Sequence, residues 1–267
     1  MRGLVDSHCH LDAAEFDADR EAVLAAAQQA GVAAMVLPAV ERANFGAVLE
    51  LCERHVCCLP ALGIHPMYVE RATPEDLDFL RQQIEATRPA AIGEIGLDFF
   101  IENADRKRQE FFFVEQLKLA REFDLPVLLH ILRAQDEVLK HLRHIKVRSG
   151  IAHAFNGSRQ QADMFIGLGF RLGFGGAMTY PRASRIRDLA STLPIGSIVL
   201  ETDAPDMPPE WLGRSARNSP AQLPRIAQVL AELRGEDVGA VVDATSRNML
   251  ELMPDLGRLC TLIQVER

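Results

Sequence analysis

Along the 267 residues, short apolar runs rich in Val, Ile and Leu alternate with longer stretches whose apolar positions recur every three to four residues. The first pattern is that of buried parallel strands and the second that of amphipathic helices; their regular succession marks repeated βα units. Strands are expected over residues 4–6, 35–39, 58–63, 91–95, 127–130, 150–153, 170–174 and 197–201. Helical patterns lie between them, among them 18–31, 73–87, 105–123 and 158–169, several opened by Ser, Thr or Asp or closed by Gly, residues that cap helix ends. Two more, 220–235 and 237–253, follow the last strand and are expected to pack outside. Eight strands alternating with helices predict an α/β fold, a TIM-type (β/α)8 barrel, and with no long linker or low-complexity segment the whole of 1–267 is expected to form one domain. The Pro- and Gly-rich stretch 205–220 follows a strand end, which in a barrel is the rim where active sites are built.

Polar residues recur where the apolar runs stop. The first strand ends in DSHCH, the third in GIHP, the fourth in GEIGLD, the fifth in LLH, the sixth in AHAFNGS and the eighth in ETDAP. In a barrel these ends converge on one face, so His8, His10, His65, Glu94, His130, His153 and Asp203 are expected around a single pocket. His8 and His10 share a side of their strand, whereas Cys9 points the other way and reads as a packing residue. His55, His141 and His144 lie in helical or connecting stretches without a partner pattern and read as surface residues. The GFGG at 173–176 reads as a tight strand exit.

Clustered neutral imidazoles leave acceptors unsatisfied, and buried carboxylates cost several kcal/mol, unless a cation takes their lone pairs. Six metal-binding side chains exceed the three or four of a single catalytic zinc, so a binuclear centre bridged by a Glu is the economical reading. Rival chemistries lack their signatures: no G-x-S-x-G elbow, no Gly-rich phosphate loop after a strand and no zinc-finger spacing occur.

With 48% hydrophobic and 25% charged residues the chain has the balance of an ordinary globular protein. Its 37 acidic and 29 basic residues leave a net charge of −8, so a polyanion would have to be held locally rather than by a global field. The five cysteines, Cys9, Cys52, Cys57, Cys58 and Cys260, include an adjacent pair that cannot form an unstrained bridge, and none form a C-x-x-C; a reducing cytoplasm is the expected compartment. No apolar signal region opens the chain and no 18-residue apolar run follows, so neither secretion nor membrane spanning is expected.

Taken in order, DSHCHLD, GIHP, GEIGLDFF, PVLLH, HAFNGS, GFGGAMTYPRA, VLETDAPDMPP and RNSPAQL resemble the motif series of the TatD family of metal-dependent hydrolases, most closely its YjjV-type branch, from about residue 4 to residue 253. The resemblance implies a barrel of the metallo-dependent hydrolase superfamily, two divalent metal ions (Zn, Mn, Mg, Ni or Fe) and deoxyribonuclease activity on DNA ends or single strands. Carried over by motif, His8, His10 and Asp203 are expected to bind one metal and His130 and His153 the other, with Glu94 bridging. His65 is expected to line the pocket and contact a substrate phosphate, or to fix the turn before Pro66. Asp6 and Glu201 are expected to sit behind the ligands as acceptors that fix imidazole tautomers. Asp98 reads as a turn residue. Relatives commonly continue the fifth-strand histidine as H-x-R, whereas here Leu132 stands at that offset and Arg133 one residue later.

The expected reaction is in-line hydrolysis of a phosphate ester by a monomer, with Asp203 orienting the nucleophilic water and accepting its proton, Glu94 bridging the metals, and His65, Asn156, Ser158, Arg133 and Arg214 neutralising phosphate charge. An amidohydrolase or carboxyl-ester hydrolase, including aminoacyl-tRNA deacylation, shares this barrel and its metals, often with a carbamylated lysine as bridge. Here Lys107, Lys118, Lys140 and Lys146 all fall in helical or connecting stretches. A non-catalytic, metal-stabilised binding module is the third reading.

Overall fold

The computed structural model describes residues 3–102, 104–254 and 256; Cys260 lies outside them. Eight strands form one parallel sheet in sequence order: β1 (Leu4–Asp6), β2 (Val32–Pro38), β3 (Cys58–Leu62), β4 (Ala91–Asp98), β5 (Val127–Leu132), β6 (Gly150–Ala152), β7 (Phe170–Phe174) and β8 (Ile198–Leu200). Helices α1 (Arg20–Gln29), α2 (Phe45–Arg54), α3 (Pro74–Thr87), α4 (Arg106–Glu122), α5 (Gln135–Ile145), α6 (Arg159–Gly167) and α7 (Ser184–Thr192) follow the first seven strands; α8 (Leu223–Arg234) and α9 (Val238–Leu252) follow β8. This is the expected (β/α)8 architecture. Several strand bounds move: β2 begins at Val32 and ends at Pro38, β3, β6 and β8 stop one residue short of the expected ends and β8 starts one later, while β4 and β5 run on to Asp98 and Leu132 because these residues pair side by side, Gly96 with His130 and Asp98 with Leu132.

Residues alternate between two cores. Met35, Leu37, Val127 and Leu129 face the helix layer, while Val5, Ala34, Val36, Leu59, Ala61, Ala91, Leu128, Ile151 and Val199 fill the barrel axis. The lower end is closed by Met249, Leu252 and Met253, which pack against that inner set, so α9 plugs the barrel rather than lying outside as expected. Asn248 fastens the plug, its Nδ2 donating to the Ile195 and Ile198 carbonyls.

The period of two carries the inner face onward to the open end. His65 follows Leu59 and Ala61, His130 follows Leu128, His153 follows Ile151, and Glu201 follows Val199. Glu94 breaks this parity, since its inward neighbour Ala91 is three positions back. The β4–β5 register supplies the reason: Ile92 pairs with Val127 but Ile95 with Leu129, so β4 holds one extra residue, a bulge that turns Glu94 onto the barrel axis. Beyond it Gly96, at φ +152, runs so close to β5 that a Cβ would collide with the His130 carbonyl oxygen.

No ladder joins β8 to β1; a buried carboxylate helps close the seam. Asp6 accepts from Thr202 N (2.9 Å), Thr202 Oγ1 (2.6 Å) and, at 3.3 Å, His8 N, while Ser7 N donates to the Leu200 carbonyl and Asp203 N to that of His8. Burial pushes the Asp6 carboxyl up to about 7 despite these donors. Asp6→Ala leaves the buried Thr202 N–H and hydroxyl without their acceptor, so it is expected to lower the urea midpoint at unchanged slope by an amount equivalent to about 3 kcal/mol; an unchanged midpoint contradicts this role.

Candidate metal centre

At the open end, five imidazoles surround one carboxylate. Glu94 is 2% exposed, and its two oxygens face different sets. Oε2 lies 3.1 Å from His8 Nε2 and 3.4 Å from His10 Nε2; Oε1 lies 2.9 Å from His153 Nε2, 3.1 Å from His130 Nδ1 and 3.4 Å from His65 Nε2. Asp203, at φ +56 in the left-handed region that Asp tolerates, brings Oδ1 to 3.6 and 3.7 Å from the Nε2 atoms of His8 and His10. Three sets, His8 with Glu94 and His153, His8 with His10 and Asp203, and His65 with Glu94 and His130, each offer donor atoms within 4.8 Å of one another.

These donors suit divalent cations. His8 Nε2 and His10 Nε2 face each other at 3.2 Å, an arrangement a shared cation satisfies, and the Nδ1 atoms of buried His8 and His153 have no hydrogen-bond partner. The charges show the same demand. Burial opposes ionisation of Glu94, but His65, His8 and His153 around it hold its carboxyl well below the usual range. Burial likewise opposes charge on His10 and His153, yet Glu94 outweighs it and raises them to about 9 and about 10. His8, deepest and beside His153, is driven down to about 3 by burial and that neighbour. One carboxylate thus cannot neutralise the whole ring of imidazoles.

The other expected site residues divide. His65 fixes the turn, Nδ1 accepting from Met67 N at 3.1 Å, and it lines the cavity, with Nε2 left as the protonated nitrogen facing Glu94. Glu201 Oε1 accepts from Ala154 N at 2.5 Å and stands 3.9 Å from His153 Nδ1, in a space that exists because Gly173 has no side chain; the GFGG turn is the tight strand exit expected. Asp6 contacts the His8 backbone and Thr202, not an imidazole. Asn156 lines the cavity. Ser158 does not: its Oγ accepts from Gln161 N as the cap of α6. Arg133 is exposed, at φ +56, with its guanidinium 4.4 Å over the Phe100 ring, and is absent from the cavity lining, so it does not replace the Arg missing at position 132. Asp98 is more than the expected turn residue. It accepts Phe100 N as a turn residue, but its Oδ2 also lies 3.2 Å from His130 Nε2. Cys9 is buried in the packing, as expected. His55 and His141 are half-buried against acidic partners and only His144 is exposed.

The cavity over this centre measures about 710 Å³. Residues 5–254 match the family model described as TatD related DNase. This chain belongs to that family. It is 45% identical over 252 residues to the metal-dependent hydrolase YjjV of Escherichia coli (strain K12), covering 93% of this chain and 96% of YjjV. The crystal structure of YjjV matches with a TM-score of 0.91 and 42% identity, over 94% of this chain and 98% of that one. Similar too are deoxyribonuclease TATDN3 of Homo sapiens (34% over 270 residues; 96% and 97% covered) and the 3'-5' ssDNA/RNA exonuclease TatD of Erwinia tasmaniensis (32% over 258 residues; 93% and 99% covered). The TatD-type chain described here is a metal-dependent hydrolase with a candidate binuclear centre. No helix among its described residues is long and apolar enough to cross a membrane.

Two outcomes follow from this geometry. His10 and His153, with folded values raised to about 9 and about 10, are protonated near neutrality in the metal-free protein, so a cation must displace those protons and affinity rises with pH up to those values. Calorimetry at about pH 7.5 in buffers of different ionisation enthalpy is expected to report net proton release on Zn²⁺ or Mn²⁺ binding; none released contradicts the charge state described. Arg133→Ala is expected to leave KM for phosphoester substrates within about twofold, since the side chain stays outside the cavity and exposed substitutions cost little.

Proposed function

We propose that this protein hydrolyses phosphodiester bonds of DNA, at ends or in single strands, with two divalent metal ions. The observation that carries the reading is the division of Glu94, one oxygen toward His8 and His10 and the other toward His65, His130 and His153, which suits a carboxylate shared by two cations. In this assignment His8, His10 and Asp203 hold one ion, His130 and His153 the other, and Glu94 bridges. An imidazole-rich set favours Zn, Mn, Fe or Ni over Mg. When bound, such ions acidify a water and neutralise phosphoryl charge.

The chain's own groups do the rest. Asp203 lines the cavity beside His8 and His10, and burial raises its carboxyl above the usual carboxylate range, which makes it a stronger base for the proton of the attacking water. His65 Nε2–H, fixed by the bond that its Nδ1 accepts, is placed to donate to a substrate oxygen. Asp98 and Glu201 steady His130 and His153 from behind. An amide-cleaving reading gains nothing here: among the described residues no lysine lines the cavity, and the bridging place belongs to Glu94. The names of the human and Erwinia relatives, a deoxyribonuclease and an ssDNA/RNA exonuclease, support nucleic acid as the substrate. The net charge of −8 supports short or single strands over long duplex, and the free thiols of Cys9, Cys52, Cys57 and Cys58 suit a reducing cytoplasm.

Metal-reconstituted protein is expected to cleave single-stranded DNA and a simple phosphodiester but not an amide panel, and to lose activity on chelation; hydrolysis confined to amides overturns the assignment. Glu94→Gln is expected to abolish turnover with the circular dichroism spectrum unchanged. Asp203→Asn is expected to lower kcat by roughly 10²–10⁴-fold.

A further inference from the structure

The rim of the metal cavity is electrically lopsided. On one flank, after β1 and β2, it is lined by Asp12, Glu15 and Glu41. On the other, past the single exposed carboxylate of Asp206, Met207 also lines a second depression of about 500 Å³, whose walls include Tyr180, Arg182 and Arg214 and, among the described residues, no carboxylate. Arg182 and Arg214 are exposed, and among the described residues neither has a carboxylate within ion-pair distance; Arg214, expected to neutralise the reacting phosphate, lines this depression and not the metal cavity. In a chain of net charge −8, where many of the arginines are paired, two unpaired guanidinium groups beside the catalytic cavity form a local anion-attracting surface.

These groups are also held in place. Tyr180 Oη donates to the Pro208 carbonyl at 3.0 Å, and the Arg214 guanidinium lies over the same ring at 5.1 Å, so tyrosine and arginine brace one another. Between depression and cavity, Asn156 Oδ1 accepts from Nε and Nη2 of Arg185 at 3.2 and 2.9 Å, adding a third guanidinium at the border.

We propose that the Tyr180–Arg182–Arg214 depression is a subsite for the phosphates that flank the scissile bond, so that the substrate is a nucleic acid strand running from the metal centre across this ledge, with the acidic flank turning phosphates away on the opposite side. This rests on the phosphodiesterase reading of the metal centre and deepens it: a small phosphoester needs only the cavity, whereas a strand needs the ledge. Arg182 and Arg214 bind; Tyr180 is a positioning residue. The acidic flank makes a strand terminus the favoured point of attack, because only one side of the scissile phosphate is offered cationic partners.

The test compares wild type with Arg182→Ala/Arg214→Ala, two exposed substitutions that remove no ion pair with a described residue, in two arms. In the first, equilibrium binding of a fluorescein-labelled dT12 oligonucleotide is followed by anisotropy over a salt series. Loss of two phosphate contacts is expected to weaken binding by about tenfold or more and to reduce the log–log salt slope by about 1.4. In the second, metal-loaded proteins hydrolyse dT12 and bis(p-nitrophenyl) phosphate. KM is expected to rise for dT12 alone, with kcat for both substrates and KM for the small diester within about twofold of wild type. Equal dT12 affinity and salt slope in the two proteins overturns the ledge even if wild type is an active nuclease. Binding that depends on the two arginines in a protein that cleaves neither substrate supports the ledge and overturns the phosphodiesterase reading instead.

Discussion

Glu94 is a carboxylate that the barrel buries and then surrounds with imidazoles, and much of the open end is arranged around that decision. A buried anion is tolerable only if opposite charge meets it at close range. Here five histidines from four βα units surround it, two at one oxygen and three at the other, and the protonated ones supply that charge. The imidazoles in turn are too many for one carboxylate, which is why His8 is forced neutral while His10 and His153 hold protons. A bound metal would take the place of those protons, bringing positive charge to Glu94 while using the nitrogen lone pairs.

Backbone features put Glu94 and its neighbours there. The bulge between Ile92 and Ile95 supplies the extra residue that rotates Glu94 inward, and the close approach of Gly96 to β5 lets His130 lie beside it. At the seam, Asp6 ties β1 to the residues after β8, so the His8 and Asp203 segments are held by the same hydrogen-bond set that completes the barrel. Stability and ligand placement are therefore coupled at that seam, while α9 closes the far side of the barrel against the inner strand residues.

Much of this was legible in the sequence because strand ends in a barrel must converge, so that residues as distant as His8 and Asp203 could be grouped without knowing any contact. Alternation from Leu128 to His130 and from Ile151 to His153 predicts inward side chains directly. What could not be read was anything set by register or by competition for a hydrogen bond. The β4 bulge leaves no mark in the hydrophobic pattern; Asp98 looked like a turn residue because the strand was ended too early, at Ile95. Ser158 has the capping-box partner Gln161 three residues on, a signal available in the sequence that outweighed any substrate role. Arg133 fails as a substitute for the family arginine because one residue of offset, combined with its left-handed backbone, carries the guanidinium to Phe100.

The donors of the centre are drawn from β4 and β5 themselves and from the residues that follow β1, β3, β6 and β8, with His8 and Asp203 meeting only across the closing seam. Any fragment that ends before Asp203 lacks part of the set. During synthesis the growing polypeptide lacks its last ligand, and the strand that shapes the barrel, until β8 and the residues beyond it have emerged. A ribosome translating this message is thus never in contact with a competent form of the hydrolytic centre built from the part of the chain it has released first.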